Sequence, residues 1–174
     1  MLDVAVSYNR YKFLGHEFLT WLWFVLEKRP ETLQAADPEM VSLDIGSRMV
    51  LEKKRNKTIE TITIKGDRVS LEEGLLALKK GAVVTELHLI YKSGEHEWCF
   101  NLKGESLNFS NLRTPKIGAV EKKEDLEGAI LEKIYLYEKV FDLIDHLYRS
   151  FVQLRLSDRW EKDTLSAIRK WMAA

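Results

Sequence analysis

The apolar residues of this sequence change their spacing from region to region, and each spacing predicts a different element. Near the start, the uncharged run FLTWLWFVL covers residues 18–26, and Pro30 follows it closely. Trp21, Trp23 and Phe24 fall within one turn of a helix, so their rings point in more than one direction. The pattern predicts a buried helix over residues 15–28 that ends before the proline.

In the middle of the chain, apolar and polar residues alternate, which is typical of strands. Residues 41–52 and 58–65 alternate on either side of the polar connection 53–57. This arrangement predicts a β-hairpin with a basic tip. A short amphipathic helix is predicted next, because Ser70 and Glu73 have the separation of a capping box.

The alternation returns after Gly81, which is a typical helix terminator. Strand-like segments on both sides of the turn Ser93-Gly94 predict a second hairpin. Leu107 and Phe109 indicate one further short strand. The middle of the chain therefore contains four or five strands.

From about residue 120, the apolar residues recur at alternating intervals of three and four, which predicts one long helix. They form two neighbouring stripes, and together these make an apolar face wider than a two-stranded coiled coil requires. One stripe is expected to cover the sheet and the other to contact a second helix or a second subunit. The candidate dimer interface comprises Phe141, Ile144, Tyr148 and Phe151.

These elements together predict one α+β domain over residues 1–174. Its sheet region spans about residues 38–118 and its helical region about residues 120–173. The expected fold is a mostly antiparallel sheet of four or five strands with a short crossing helix. An aromatic N-terminal helix and a long C-terminal helical hairpin flank that sheet.

Composition narrows the classes of protein that this chain can belong to. Of its 174 residues, 27 are basic and 27 are acidic, so the chain lacks the bulk positive charge of many small nucleic-acid binders. Cys99 is the sole cysteine, which excludes an internal disulfide and favours the cytoplasm. The apolar run of nine residues is shorter than the about 20 residues that span a bilayer, so no membrane partner is expected.

A search for catalytic patterns finds no phosphate-binding glycine loop and no HExxH zinc motif. Cys99 stands between two aromatic residues on a predicted strand, where a thiol is usually a packing residue. If folding gathers a metal site, the best candidates are His88, His96 and Glu97, whose strands are expected to be neighbours. The sequence thus predicts a protein with no enzymatic activity, no metal and no cofactor.

The densest local charge is the cluster Lys53, Lys54, Arg55 and Lys57 at the predicted hairpin tip, with Arg48 and Arg68 nearby in sequence. Such a cluster neutralises DNA phosphates and gives salt-dependent binding without base readout. A solvated polar loop is the simpler alternative for the same residues. We take these six residues as the candidate DNA-binding set.

Three segments of the sequence resemble the recombination-associated protein RdgC family. They are FLGHEFLTWLW at residues 13–23, SLEE at residues 70–73 and GAVVTELHL at residues 81–89, and the similarity continues to about residue 112. Family members are longer at the N-terminus, so the chain is expected to correspond to their C-terminal part. The resemblance implies a cytoplasmic, nucleoid-associated, dimeric protein that binds DNA with little sequence preference and restrains RecA-type recombinases.

Two functional hypotheses follow. The first is a nonspecific DNA-binding homodimer that modulates RecA-type recombination by occupying DNA. The second is a protein-interaction or assembly domain that kept the RdgC-like scaffold but lost most of the DNA-binding surface. The second gains support from Ala82 and Glu86, which stand where members of the family often carry basic residues.

Overall fold

The computed structural model describes residues 4–66 and 71–173, and for residues 4–11 and 71 the backbone alone. Five strands form one antiparallel sheet in the order β2-β1-β3-β4-β5. Their bounds are β1 Met40–Arg55, β2 Thr58–Lys65, β3 Val83–Ser93, β4 His96–Lys103 and β5 Asn108–Arg113. The predicted antiparallel sheet is confirmed, including its fifth, short strand.

Four α-helices accompany the sheet within the described residues, and this confirms the predicted α+β class. They are α1 Val4–Lys28, α2 Leu71–Lys79, α3 Leu126–Arg155 and α4 Leu165–Ala173, and one π-helical turn, Trp160–Thr164, leads directly into α4. Short 3₁₀ turns occupy Pro30–Leu33 and Lys123–Asp125. Helix α1 begins at Val4, well before the predicted start at residue 15, because apolar periodicity does not mark where a helix begins.

Helix α1 is buried on all of its sides in its second half. Between Phe18 and Val25 every side chain except Thr20 is buried, and those of Phe18, Leu19, Leu22 and Trp23 are wholly inaccessible to solvent. Such all-round apolar character requires covering layers on opposite sides. The sheet covers one side, and helices α3 and α4 cover others, so α1 forms the centre of the core.

Aromatic rings of α1 pack against aromatic rings of the C-terminal helices. The ring of Phe18 meets that of Phe151 at 5.6 Å between centroids and the edge of Tyr148 at 5.2 Å. Trp23 meets Trp171 of α4 edge to face at 5.0 Å. Pairs in such offset geometries contribute about 0.5–1.5 kcal/mol beyond their area burial.

The backbone of α1 is in direct contact with the backbone of the turn between β4 and β5. A Cβ atom added to Gly15 would lie 1.7 Å from the carbonyl oxygen of Gly104, and one added to Gly104 would lie 2.8 Å from the carbonyl oxygen of Gly15. Neither position has room for a side chain. The two glycines therefore set how deeply α1 sits against the sheet.

The Glu27 carboxylate ties α1 to α4. Its two oxygens accept one hydrogen bond each, from Trp23 Nε1 and from Trp171 Nε1, both at 2.7 Å. A buried indole N–H without a partner is destabilising, so this carboxylate satisfies two donors at once.

Asp37 anchors the segment before β1 to the sheet. Its carboxylate accepts hydrogen bonds from the hydroxyls of Tyr91 and Ser93 and from the Glu39 backbone N–H, and Lys139 of α3 lies 3.8 Å away. Burial alone would raise the pKa of Asp37, but these hydrogen bonds and the Lys139 charge outweigh it and lower that pKa. Burial raises the pKa of Tyr91, and the hydrogen bond to Asp37 raises it further.

Replacing Glu27 with Ala leaves the indole N–H groups of Trp23 and Trp171 without an acceptor. We expect a loss of unfolding free energy of about 1–3 kcal/mol for each orphaned donor, measured by urea denaturation. The matched control is Glu31→Ala, since Glu31 is exposed, and it should stay within about 0.5 kcal/mol of the wild type. Equal stability of the two variants would contradict this role.

Asp37→Asn should destabilise the protein most at neutral pH. Because the folded pKa of Asp37 is lowered, its stabilisation is present above the unfolded pKa of about 3.9 and is lost as pH falls through the folded pKa. The difference in unfolding free energy between wild type and variant should therefore shrink below about pH 4. Denaturant titrations at pH 7 and pH 3 measure it, with the exposed Asp44→Asn as control. A difference that stays constant over this range would rule the mechanism out.

Candidate nucleic-acid interface

The end of the first hairpin projects beyond the rest of the sheet. The last pair between β1 and β3 is Glu52 with Val83, whereas β1 and β2 stay paired as far as Arg55 and Thr58. Residues 53–60 therefore form a two-stranded ribbon, which we call the basic ribbon. Its turn is Asn56-Lys57, and Asn56 has a left-handed φ of 52°, which asparagine tolerates better than most residues.

The predicted connection over residues 53–57 is wrong in one respect. Lys53, Lys54 and Arg55 belong to strand β1, and a two-residue turn replaces the five-residue connection. Polarity made this segment resemble a loop, but pairing with residues 58–60 of β2 keeps it extended. Side chains of successive ribbon residues consequently point to opposite faces.

The four cations of the ribbon face solvent. Lys54, Arg55 and Lys57 are exposed, and Lys53 is half-buried. Over residues 4–66 and 71–173, none of the four lies within 4.0 Å of a carboxylate oxygen. Glu60, the pairing partner of Lys53, is the one acid on the ribbon, so its net charge is positive.

The structure separates Arg48 from this cluster. Arg48 stands seven positions before Arg55 on the same strand, or about 23 Å at 3.3 Å per residue. Its Nη1 lies 3.5 Å from the Glu86 carboxylate of β3. Arg68, the sixth candidate, lies outside the described residues.

His88 and His96 lie on opposite faces of β3 and β4. His96 shares a face with Trp98, whose ring it meets at 5.9 Å, and that face carries the core. His88 lies on the other, outer face of the sheet, beside Arg48 and Ser47. In the described part of the chain, no three His, Cys, Asp or Glu residues are gathered as in a metal site, and this includes His88, His96 and Glu97.

The imidazole of His88 lies across Gly46 of β1. A Cβ atom on Gly46 would come within 2.2 Å of His88 Nδ1, so glycine makes room for the ring. Nδ1 accepts a hydrogen bond from the Ser47 backbone N–H at 2.9 Å. Burial lowers the pKa of His88, and the charge of Arg113 lowers it further, so both favour the neutral ring. Because Nδ1 accepts the Ser47 N–H, the proton of the neutral ring is on Nε2.

Cys99 is held as a protonated thiol. Burial raises its pKa, and the charge of Glu97, whose carboxylate accepts a weak hydrogen bond from Sγ at 3.9 Å, raises it further. The thiolate is the reactive form of cysteine, so this environment disfavours a nucleophile.

The four candidate dimer residues do not share one environment. Ile144 and Phe151 are buried within their own chain, at 3% and 0% exposure, so these two side chains cannot contact a partner. Tyr148 is half-buried against Phe18, and Phe141 is 44% exposed beside Phe109. The stripe is therefore buried in the C-terminal half of α3, where Phe151 packs against α1.

The N-terminal half of the same stripe stays exposed. We call it the open stripe, and its members are Ile130, Ile134, Tyr137 and Phe141, with exposed fractions between 37% and 51%. The neighbouring stripe, Leu136, Val140, Leu143 and Leu147, is buried as expected of the residues that cover the sheet.

Asn101, Asn111 and Arg113 surround His88 on the outer face, and none of them belongs to a sequence motif. Alternation along β3 and β4 does place His88 opposite Asn101. The positions of Asn111 and Arg113 depend on an irregular pairing of β5 that no sequence pattern marks.

Comparison of the chain with models of known families, with curated proteins and with solved structures found no match in any of the three. The resemblance to the RdgC family therefore stays a prediction from the quoted segments. Among the helices that the structure describes, none is long and apolar enough to cross a membrane.

Proposed function

We propose that this protein binds DNA without sequence preference and without catalysis, through the phosphate contacts of its basic ribbon. The observation that carries the proposal is the projection of residues 53–60 beyond the end of β3, with four cations that lack an ion-pair partner among the described residues. A two-stranded ribbon fits the major groove of B-DNA, which is about 12 Å wide.

The kind of contact follows from the side chains. Lysine and arginine reach phosphate oxygens on either side of a groove, because successive ribbon residues point to opposite faces. Contacts to phosphates carry no sequence information. The proposed binding is therefore nonspecific and depends steeply on salt concentration.

The environment of the reactive side chains supports a role without catalysis. The Cys99 thiol is kept protonated, and His88 and His96 stand on opposite faces of the sheet. As the RdgC resemblance implies, occupation of DNA would restrain a RecA-type recombinase by competition for the same strand. This part of the proposal rests on the resemblance alone.

The open stripe favours a second candidate function, assembly with another protein surface. Four large apolar side chains in successive turns of one helix, all more than one-third exposed, form a patch of the kind that marks interaction sites. A homodimer through this stripe is compatible with DNA binding, since the basic ribbon lies on a different element.

Changing Lys53, Lys54, Arg55 and Lys57 together to Gln should weaken binding to a short DNA duplex and flatten its salt dependence. Each lost phosphate contact removes about 0.9 from the slope of log affinity against log salt concentration, so up to about 3.6 in total. Fluorescence anisotropy at several salt concentrations measures both quantities.

The matched control removes four exposed lysines elsewhere, Lys116, Lys122, Lys123 and Lys170, with the same change in net charge. This control should retain most of the affinity. If both quadruple variants bind equally, the ribbon has no special role, and assembly becomes the better proposal. Circular dichroism checks that each variant is folded.

The change of Ile130 and Ile134 to Lys should convert a dimer into a monomer. Both side chains are about half exposed, at 51% and 47%, so the substitutions leave the core intact while placing two charges in a contact surface. Light scattering at micromolar concentration measures the mass in solution.

The control is Val41→Lys with Leu156→Lys, which alters two apolar side chains that are equally or more exposed but lie away from the open stripe. It should remain dimeric. A wild-type protein that is monomeric in the same experiment would refute the dimer.

A further inference from the structure

The outer face of the sheet carries a cavity of about 450 Å³ around His88, separate from the basic ribbon. Its polar lining includes Arg48, His88, Asn101, Asn111 and Arg113, and no carboxylate of the described residues belongs to it. A volume of this size falls in the lower part of the range of ligand pockets. On the solvent face of an antiparallel sheet, which is normally flat, a cavity needs an explanation.

Two irregularities of strand pairing create this cavity. On one side of His88, the three residues Gly46, Ser47 and Arg48 face a single residue of β3, because Ile45 pairs with Leu89 and Met49 with Leu87. The extra residues bend β1 and turn the Ser47 N–H toward the imidazole.

The second irregularity lies on the other side, between β4 and β5. Cys99 pairs with Arg113 and Asn101 with Ser110, so Asn111 and Leu112 together face Phe100. Asn111 adopts a left-handed φ of 54°, a conformation that is costly for most residues and is often found at binding sites. Both departures from regular pairing therefore flank the same cavity.

The lining supplies hydrogen-bond donors and positive charge. Arg48 and Arg113 contribute two guanidinium groups, and a neutral His88 has one donor left at Nε2, since Nδ1 already accepts the Ser47 N–H. Each asparagine adds an amide group. Glu86 offsets part of the charge through Arg48 Nη1, at 3.5 Å.

One of these donors has no partner. Arg48 Nε is buried and makes no hydrogen bond to any described residue. A buried donor without a partner is destabilising, so its presence beside the cavity calls for a structural explanation. The guanidinium of Arg48 thus has its Nη1 directed at Glu86, while the contact to Glu86 leaves its Nε without an acceptor among the described residues.

We propose that this cavity binds a phosphate group, held by the guanidinium groups of Arg48 and Arg113 and by His88 Nε2–H. Arginine forks match the tetrahedral oxygens of phosphate through paired N–H donors, and neutral donors from histidine and asparagine complete the set. The phosphate belongs either to a small phosphate ester or to a nucleic-acid backbone, and both present the same oxygens. The site does not depend on the function proposed for the basic ribbon.

The test uses the full chain and inorganic phosphate as the probe. Wild type should bind phosphate in a 1:1 ratio by isothermal titration calorimetry, with a shift of the His88 Nε2 signal in ¹⁵N NMR. Arg113→Gln and Arg48→Gln should each weaken binding about tenfold or more, because each removes a charge-assisted contact. Arg113 is exposed, so its substitution leaves the core untouched.

Lys103→Gln, an exposed lysine on β4 that does not line the cavity, is the matched control and should bind as the wild type does. The quadruple Gln variant of the basic ribbon should also keep its phosphate affinity, which separates this proposal from the DNA-binding one. If no phosphate binding is detected at concentrations up to about 10 mM, the proposal is overturned. Binding that persists equally in both arginine variants would overturn it as well.

A competition experiment then distinguishes the two sources of the phosphate group. If a short DNA duplex displaces inorganic phosphate from the wild type, and does so in the ribbon variant too, the cavity accepts a backbone phosphate. If the duplex leaves phosphate in place while phenyl phosphate displaces it, the natural ligand is a small phosphate ester. Both results support a phosphate site, and they differ only in what carries the phosphate.

Discussion

The complete burial of one helix is the constraint on which the rest of the structure depends. Between Phe18 and Val25, apolar side chains point in every direction around α1, so a single covering layer cannot remove them all from water. The sheet supplies one cover, and α3 and α4 supply the others, with Phe151 and Trp171 against the aromatic rings of α1. Gly15 and Gly104 let the backbones touch at one end of this arrangement.

This constraint decides which described surfaces remain open. The inner face of the sheet and the C-terminal half of α3 pack against α1 and are therefore buried. The basic ribbon, the outer face around His88 and the open stripe of α3 are left at the surface, and each is formed by different residues. The two proposed phosphate contacts and the proposed protein contact therefore do not compete for the same residues.

The sequence predicted the class of fold well because strand alternation and helical periodicity are local properties. The buried aromatic helix, the antiparallel strands and the long helix all follow from such patterns. The sequence could not predict which part of the stripe on α3 is buried, since Phe141 and Phe151 have the same periodicity and differ only in whether α1 lies nearby. Nor could it predict the cavity. That cavity depends on two irregularities of strand pairing, and the sequence pattern of each strand alone does not reveal how the strand pairs with its neighbours.

The contact between Trp23 and Trp171 has a consequence for how the protein is made. The two residues are 148 positions apart, and at about 5–20 residues per second the ribosome adds the second roughly 7–30 seconds after the first. During that interval the face of α1 that carries Trp23 lacks its covering helix α4. The core of the nascent chain therefore closes only after translation has passed α4, and an apolar segment stays exposed until then.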